Sequence, residues 1–107
     1  GGSYPFINLF QDGYDTILTA EIPGVKKEDI NIEVKNNLIR ISGKRSVEYP
    51  EKSSVHRMER RDIKFDRTIK LPARVDTKQI NADYKNGVLK VVLPRAEEDK
   101  PKMIKVA

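Results

Sequence analysis

The only histidine of the chain, His56, follows Ser53 and Ser54, so a hydroxyl nucleophile and a base occur within four positions. A nucleophilic serine is usually presented on a sharp strand-to-helix turn, and no such elbow motif surrounds these serines. A metal site is not indicated either, because the chain has no cysteine and no glutamate at ligand spacing from the imidazole. We interpret His56 as a surface-loop residue and predict no catalytic residue and no metal site.

Carboxylates are frequent, with 16 aspartates and glutamates, but none stands in an apolar setting that would raise its pKa for acid–base catalysis. Glu97, Glu98 and Asp99 form a solvated run near the end of the chain. The glycines form neither a phosphate-binding loop nor a dinucleotide fingerprint. The sequence therefore predicts a binding protein that is not an enzyme and uses no cofactor.

The composition describes one small domain with a thin core, since 107 residues include 37% hydrophobic and 35% charged residues. No apolar run is long enough to cross a membrane, and we expect no membrane partner. The absence of cysteine is typical of a reducing compartment, so a cytoplasmic location is predicted.

A net charge of +5 raises the possibility of nucleic-acid binding. Acidic residues interrupt every basic stretch, however, as in RMERRD and RAEEDKPK. A small barrel that binds single strands would also need aromatic stacking platforms, and Tyr4, Tyr14, Tyr49 and Tyr84 are scattered. A mixed-charge solvated surface is the better interpretation, and no nucleic-acid partner is predicted.

Alternation with a period of two runs through the whole chain and predicts β-strands. It is clear in TILTAEIP, INIEV, LIRIS and QINADYK, and in DIKFDRTIKLP, where Arg67 interrupts an apolar face. Asp12-Gly13, Asn36-Asn37 and Asn86-Gly87 mark turns between these runs. The pattern predicts an all-β antiparallel sandwich of seven to nine short strands, with a small barrel as the alternative.

Two segments do not fit that sandwich. The polar stretch between Gly43 and Arg61 is predicted to be a long loop, either functional or a mobile surface loop. After the charged run RAEEDKPK, the chain ends with Ile104 and Val106 one residue apart. From the residues alone, this pair is either a last strand of the same sandwich or an anchor for another molecule.

Several motifs, in order, resemble the α-crystallin domain of the small heat-shock proteins (Hsp20 family), of the prokaryotic or archaeal type. ADYKNGVL at residues 82–89 has the form A-x-x-x-N-G-V-L, and ERRDIKFDRTIKLP has the form E-R-x-x-x-x-F-x-R-x-x-x-L-P. AEIPGVKKEDINIEV, LIRISGKR and the terminal I-x-V motif IKV are also similar. One departure is Ile63, where the family often has a glycine.

The resemblance implies an immunoglobulin-like sandwich with a long strand-exchange loop. It also implies an ATP-independent holdase that binds unfolded client proteins and assembles through homodimers into larger homo-oligomers. In such proteins the I-x-V pair docks between two strand edges of a neighbouring subunit. By position, Ile104 and Val106 would be the anchor here, and the accepting groove would be formed by Ile32, Val34, Ile80 and Ala82.

In the bacterial, archaeal and plant branch of the family, dimers form when a strand in the long loop pairs with the partner's early strand, whereas the animal branch has a longer strand and a shorter loop. The exchanged strand would comprise Val55, His56, Arg57 and Met58, and its target would comprise Ile7, Leu9 and Phe10. The resemblance further implies that Arg67 forms an ion pair at the dimer interface, whereas the residues alone allow it to extend from the sheet edge to water.

Three segments are expected. Residues 1–3 are a remnant of cloning or the end of a truncated N-terminal arm, residues 4–94 form the α-crystallin domain, and residues 95–107 form a C-terminal extension. Without the arm, holdase activity is expected to be weaker than in longer family members. The alternative function is a scaffold or co-chaperone domain that binds one folded partner.

Overall fold

The chain folds into seven antiparallel strands. The structure is a computed structural model that describes residues 4–53 and 56–107. The predicted segment at residues 1–3 lies outside this described part. The strands are β1 (Phe6–Asp12), β2 (Asp15–Glu21), β3 (Ile30–Lys35), β4 (Leu38–Pro50), β5 (Met58–Lys70), β6 (Asn81–Lys85) and β7 (Val88–Pro94). The only helices among the described residues are two 3-10 turns, Lys27–Asp29 and Glu97–Asp99.

The strands pair into two separate sheets, with orders β1-β2-β7-β6 and β3-β4-β5. Their inner faces share one apolar core, so the predicted sandwich is confirmed and the barrel is not. Within the described residues, β1 and β6 are the edges of the larger sheet, and β3 and β5 are the edges of the smaller one. No helix in this part of the chain is long and apolar enough to span a bilayer.

The core follows the predicted alternation. In β2 and the residue that follows it, the face of TILTAEIP formed by Leu18, Ala20 and Ile22 is fully buried. Ile39 and Ile41 of β4 are fully buried on the facing sheet. The remaining buried apolar side chains of this cluster are Val25, Phe65, Leu71, Val75, Leu89, Val91 and Leu93. One alternating face of each inner strand therefore supplies the hydrophobic stabilisation of the sandwich.

Asn86 and Gly87 connect β6 to β7 as a two-residue turn, as the sequence predicted. Both have positive φ, 52° and 78°, which is the backbone of the hairpin turns that match strand twist. The Gly87 carbonyl accepts a hydrogen bond of 2.8 Å from the Ile22 amide, which extends the pairing of β2 with β7. This turn therefore fixes the register of β6.

The polar segment predicted to be a long loop is largely strand. Residues 44–50 of β4 pair with residues 58–64 of β5, and we call these two stretches the arm. Apart from Arg45, whose side chain packs on Gly24 and the Tyr4 ring at the base, the arm extends beyond the sandwich, so its residues are mostly polar and the sequence shows little apolar alternation. Cross-strand contacts such as Arg60 to Glu48, 3.0 Å, take the place of core packing. β5 continues through Ile63 without interruption.

Gly43 permits β5 and the 3-10 turn Lys27–Asp29 to approach β4 closely at the base of the arm. It pairs with Phe65 across β4 and β5, and the phenyl ring lies over it. A Cβ at this position would lie 2.7 Å from Phe65 Cζ and would also clash with the Asp29 backbone carbonyl. The absence of a side chain therefore allows Phe65 to fill the core.

Gly43→Ala is expected to destabilise the domain by about 1–3 kcal/mol, because the added methyl group overpacks a site closed on one side by backbone. Urea unfolding at a fixed chain concentration measures this change. Lys44→Ala, on the exposed neighbouring position, is the matched control and should remain within about 0.5 kcal/mol of the parent. Equal stability of both variants and the parent would contradict the packing argument.

Candidate functional site

A shallow apolar groove lies between the edge strands β3 and β6, where the two sheets approach each other. Its volume is about 180 Å³, and we call it the edge groove. It is lined by Lys27, Ile30, Ile32, Ala82, Asp83, Tyr84 and Leu89. Both flanking strands are edges, so the groove combines apolar side chains with backbone groups that have no neighbouring strand within the described residues.

Two of the four predicted groove residues, Ile32 and Ala82, line this space. Val34 and Ile80 do not line it, although both are half-buried and pack against the core. Ile30 and Tyr84 lie in the groove instead. They share the alternating faces of Ile32 and Ala82, so the strand pattern contained the signal, but the sequence does not tell where one sheet overlies the other.

Tyr84 fixes one wall of the edge groove. Its hydroxyl lies 2.7 Å from the Val25 carbonyl oxygen and 3.0 Å from that of Ile22, and it donates its hydrogen to this pair of acceptors. These acceptors flank the Pro23-Gly24 turn that follows β2. The hydrogen bond thus ties β6 to the connection between β2 and β3, and it holds the ring half-buried beside the groove.

The C-terminal residues 101–107 have no secondary structure and are exposed. Ile104 and Val106 are 87% and 90% exposed, and Met103 is fully exposed. The structure therefore does not place the apolar pair in a strand of the chain's own sandwich. In an extended segment, residues 104 and 106 point to the same side.

The outer edge of β1 offers backbone hydrogen-bonding groups. The Ile22 amide bonds to the Gly87 carbonyl, on the β7 side of β2. Because successive residues of a strand bond to opposite neighbours, every second residue of β2 counted back from Ile22 bonds to β7, and the residues between them bond to β1. The backbone groups of Ile7, Leu9 and Gln11 consequently point away from β2. Of the predicted target residues, Ile7 and Leu9 thus present their backbone outward.

The backbone amide and carbonyl groups of Phe10, the third predicted target residue, point toward β2. Its side chain is half exposed, and that of Phe6 at the other end of β1 is 64% exposed. Both side chains lie on the outer face of the larger sheet, whereas Ile7 packs against the core. The edge of β1 is therefore apolar on its outer face as well as open along its backbone.

The predicted exchange strand is not a separate strand among the described residues. Val55 lies outside them, His56 and Arg57 are exposed and outside the strands, and Met58 is the first residue of β5. The Arg57 carbonyl accepts a 2.9 Å hydrogen bond from the Glu51 amide, which continues the hairpin of the arm. Local pairing with β4 thus organises this segment, and by alternation the backbone of Met58 points away from β4.

Arg67 lies on the inner face of β5, as predicted, and is half-buried. Its Nη1 donates a 2.8 Å hydrogen bond to the Pro5 carbonyl oxygen, immediately before β1. This contact joins the edge strands β1 and β5 of the two sheets. The ion pair at a dimer interface stays a prediction.

Two aspartates are held ionised by arginines on the surface. The Arg40 guanidinium donates hydrogen bonds of 2.9 and 2.6 Å to the two carboxylate oxygens of Asp66 and lowers the pKa of that carboxyl. Arg74 donates to Asp99 through its side chain and its backbone amide, and these hydrogen bonds lower the pKa of Asp99. Neither pair lies in an apolar pocket, so neither resembles an acid–base site.

The family model described as the Hsp20/alpha crystallin family matches residues 11–107. The chain is 42% identical over 89 residues to the 17.4 kDa class I heat shock protein of Arabidopsis thaliana, and the match covers 81% of this chain and 57% of that protein. It is 45% identical over 87 residues to the 17.7 kDa class I heat shock protein of Oryza sativa subsp. japonica, with coverage of 79% and 55%. The chain thus spans a little over half the length of the curated relatives it matches.

Solved structures of small heat-shock proteins are also similar to this chain. Heat shock protein 16.0 from Schizosaccharomyces pombe superposes with a TM-score of 0.73 at 32% identity, covering 96% of each chain. A small heat-shock protein from Xylella fastidiosa superposes with a TM-score of 0.73 at 27% identity, covering 100% of this chain and 99% of that one. The prediction of a prokaryotic or archaeal type is not borne out, because the relatives named above are class I heat shock proteins of plants. The chain belongs to the Hsp20/alpha-crystallin family of small heat-shock proteins.

Proposed function

We propose that this chain is an ATP-independent holdase that binds partly unfolded proteins and assembles through homodimers into larger homo-oligomers. Family membership supports a chaperone role in general. The observation that carries the proposal is the coexistence, in one chain, of open sheet edges, an exposed apolar pair and an apolar edge groove. Open edges and apolar surface are what a protein needs to bind extended, partly unfolded chains. The absence of cysteine fits work in the reducing cytoplasm.

The edge groove has the size and chemistry to accept the tail of a neighbouring subunit. Ile104 and Val106 are branched and exposed, and the groove offers the apolar side chains of Ile30, Ile32 and Leu89. An extended tail would add hydrogen bonds to an open strand edge and bury two side chains, while Lys105 faces water. Burial of the pair contributes about 3–5 kcal/mol before ordering costs, which gives weak and reversible contacts that become strong when repeated in an oligomer.

Replacing Ile104 and Val106 together by alanine is expected to reduce the solution mass from an oligomer to a dimer, because most of the buried apolar area of the anchor is lost. Analytical ultracentrifugation measures this mass. Ala82→Glu is also expected to reduce the oligomer to a dimer, because it places a charge at an exposed position of the groove that accepts the anchor. Met103→Ala is the matched control, because Met103 points to the other side of an extended tail. If the parent and all three variants share one mass, the tail is not an intermolecular anchor.

The dimer is proposed to form at the outer edge of β1. The partner's segment of Val55, His56, Arg57 and Met58 would add there as a further strand, opposite the outward backbone groups of Ile7 and Leu9. Exposed Met58, Leu9 and Phe10 would bury apolar surface in that contact. Arg67 lies beside the start of this edge through its bond to Pro5, and we propose that it meets a carboxylate of the partner subunit there.

Leu9→Pro tests the added strand. Proline removes the outward amide of Leu9 but none of the bonds between β1 and β2, so the fold is expected to persist. Each of the two symmetric sites loses at least one hydrogen bond of about 1 kcal/mol. The dissociation constant of the dimer should therefore rise roughly thirtyfold or more. Sedimentation equilibrium measures the dissociation constant, and circular dichroism checks the fold. Leu9→Ala, which keeps the amide, should weaken the dimer much less, and equal effects of the two variants would contradict backbone pairing.

Holdase activity itself is tested by light scattering of a heat-unfolding client. The chain is expected to lower the scattering in the absence of nucleotide, and ATP should add nothing. Lysozyme, another small basic protein, controls for charge. Unchanged scattering at tenfold molar excess, together with binding to a folded protein, would favour the scaffold or co-chaperone alternative.

A further inference from the structure

The C-terminal extension does not begin freely at the end of β7. Backbone hydrogen bonds continue past Pro94, from the Asp76 amide to the Pro94 carbonyl and from the Ala96 amide to the Arg74 carbonyl, both 2.8 Å. The 3-10 turn Glu97–Asp99 follows directly. Residues 95–100 are thus folded against the connection between β5 and β6, and we call them the root of the extension.

Asp99 closes this root on Arg74. One carboxylate oxygen accepts the Arg74 backbone amide at 2.7 Å, and the other accepts Nε at 3.0 Å and Nη2 at 2.7 Å. The Asp99 side chain is only 21% exposed, in contrast to Glu97 of the same turn, which is 84% exposed. A carboxylate with three charge-assisted or backbone bonds holds a more definite position than a typical surface ion pair.

Tyr14 fixes the root from a second side. The Arg95 amide donates a 3.1 Å hydrogen bond to the Tyr14 carbonyl, and the Arg95 guanidinium lies 5.5 Å from the centre of the Tyr14 ring. The Lys100 ammonium is also 5.5 Å from that ring centre. The root therefore has one cation at each end, and both cations contact the same aromatic ring on the turn between β1 and β2.

The root shortens the free part of the tail. Lys100 is extended, with φ −88° and ψ 147°, and the following Pro101 favours this conformation. From Lys100, Ile104 can reach at most about 14 Å, whereas a tail that is free beyond the backbone bond of Ala96 could carry Ile104 about 28 Å. Because volume grows as the cube of the reach, releasing Asp99 enlarges the accessible space roughly eightfold.

We propose that Arg74, Asp99 and Tyr14 form a clamp that sets where the anchor of each subunit can dock, and thereby selects the number of subunits in the assembly. This inference rests on the proposed anchor function of Ile104 and Val106. With the clamp closed, only a neighbouring edge groove within the short reach can be occupied. With the clamp open, neighbours at several distances and angles can be linked. Asp99 is thus a positioning residue that acts through the tail.

Native mass spectrometry of Asp99→Ala tests the clamp. The parent should show one dominant subunit number, and the variant should spread over several numbers while remaining larger than a dimer. Glu97→Ala is the matched control, because it removes the same charge from the same turn and breaks only the exposed 3.0 Å pair with Lys100. It should keep the distribution of the parent. Equal thermal midpoints of the two variants exclude a general loss of stability as the cause.

A distance measurement checks the reach itself. The chain has no cysteine, so Lys85→Cys and Lys102→Cys can carry spin labels without further changes. In a background with Ile104→Ala and Val106→Ala, where docking cannot hold the tail, Asp99→Ala should widen the distance distribution about twofold, in line with the longer free segment. An unchanged width would show that Asp99 does not hold the root and would overturn the proposal.

The outcomes separate the clamp from the anchor. If the parent is larger than a dimer, the variant with Ile104→Ala and Val106→Ala is a dimer, and Asp99→Ala keeps the subunit number of the parent, then the anchor stands and the clamp is overturned. If the parent and the Ile104→Ala and Val106→Ala variant are both dimers, the anchor fails, and the clamp fails with it as a determinant of assembly. Only a broadened distribution for Asp99→Ala, with Glu97→Ala unchanged, supports the clamp.

Discussion

An open β-sheet has two edges, and the backbone groups on those edges need hydrogen-bond partners. In residues 4–53 and 56–107, two open sheets stacked as a sandwich leave β1, β3, β5 and β6 as edge strands, and no closure into a barrel removes them. The rest of this structure can be understood from that constraint. The edge of β1 is open beside the exposed phenyl rings of Phe6 and Phe10, and the edges of β3 and β6 bound an apolar groove.

Open edges carry a risk of uncontrolled aggregation, and the distribution of charge in the chain reduces it. More than a third of the residues are charged, with both signs interspersed, so the apolar surfaces beside β1 and at the edge groove are set in a highly charged exterior. The arm shows the same principle. Its strands are held by cross-strand contacts such as Ser46 to Asp62, 2.9 Å, and Arg60 to Glu48, 3.0 Å, which remain solvated. Such surfaces favour specific and reversible strand addition over tight association.

Hydrogen bonds to the backbone hold the groove, the edge strands and the root of the tail in place, which favours docking through weak contacts. The Tyr84 hydroxyl holds the wall of the edge groove, the Arg67 guanidinium joins the last part of β5 to the start of β1, and Asp99 fixes the root of the tail. Each of these polar groups connects an edge or a terminus to another part of the fold through a backbone carbonyl or amide. A pre-formed groove and a tail with a fixed origin lose less entropy on docking than mobile ones would.

The sequence by itself determined the strands, the faces they bury and the family. Alternation in TILTAEIP and LIRIS predicted the buried sets, and Asn86-Gly87 predicted a hairpin, because these are local consequences of side-chain direction and backbone sterics. It did not predict that residues 44–50 and 58–64 form an arm, since uncovered strands need no apolar face. Only the tertiary structure decided that Ile30 and Tyr84, and not Val34 and Ile80, line the edge groove, and that Arg74 holds Asp99. These contacts depend on how one sheet is placed over the other and on residues far apart in the chain, and no local pattern encodes that placement.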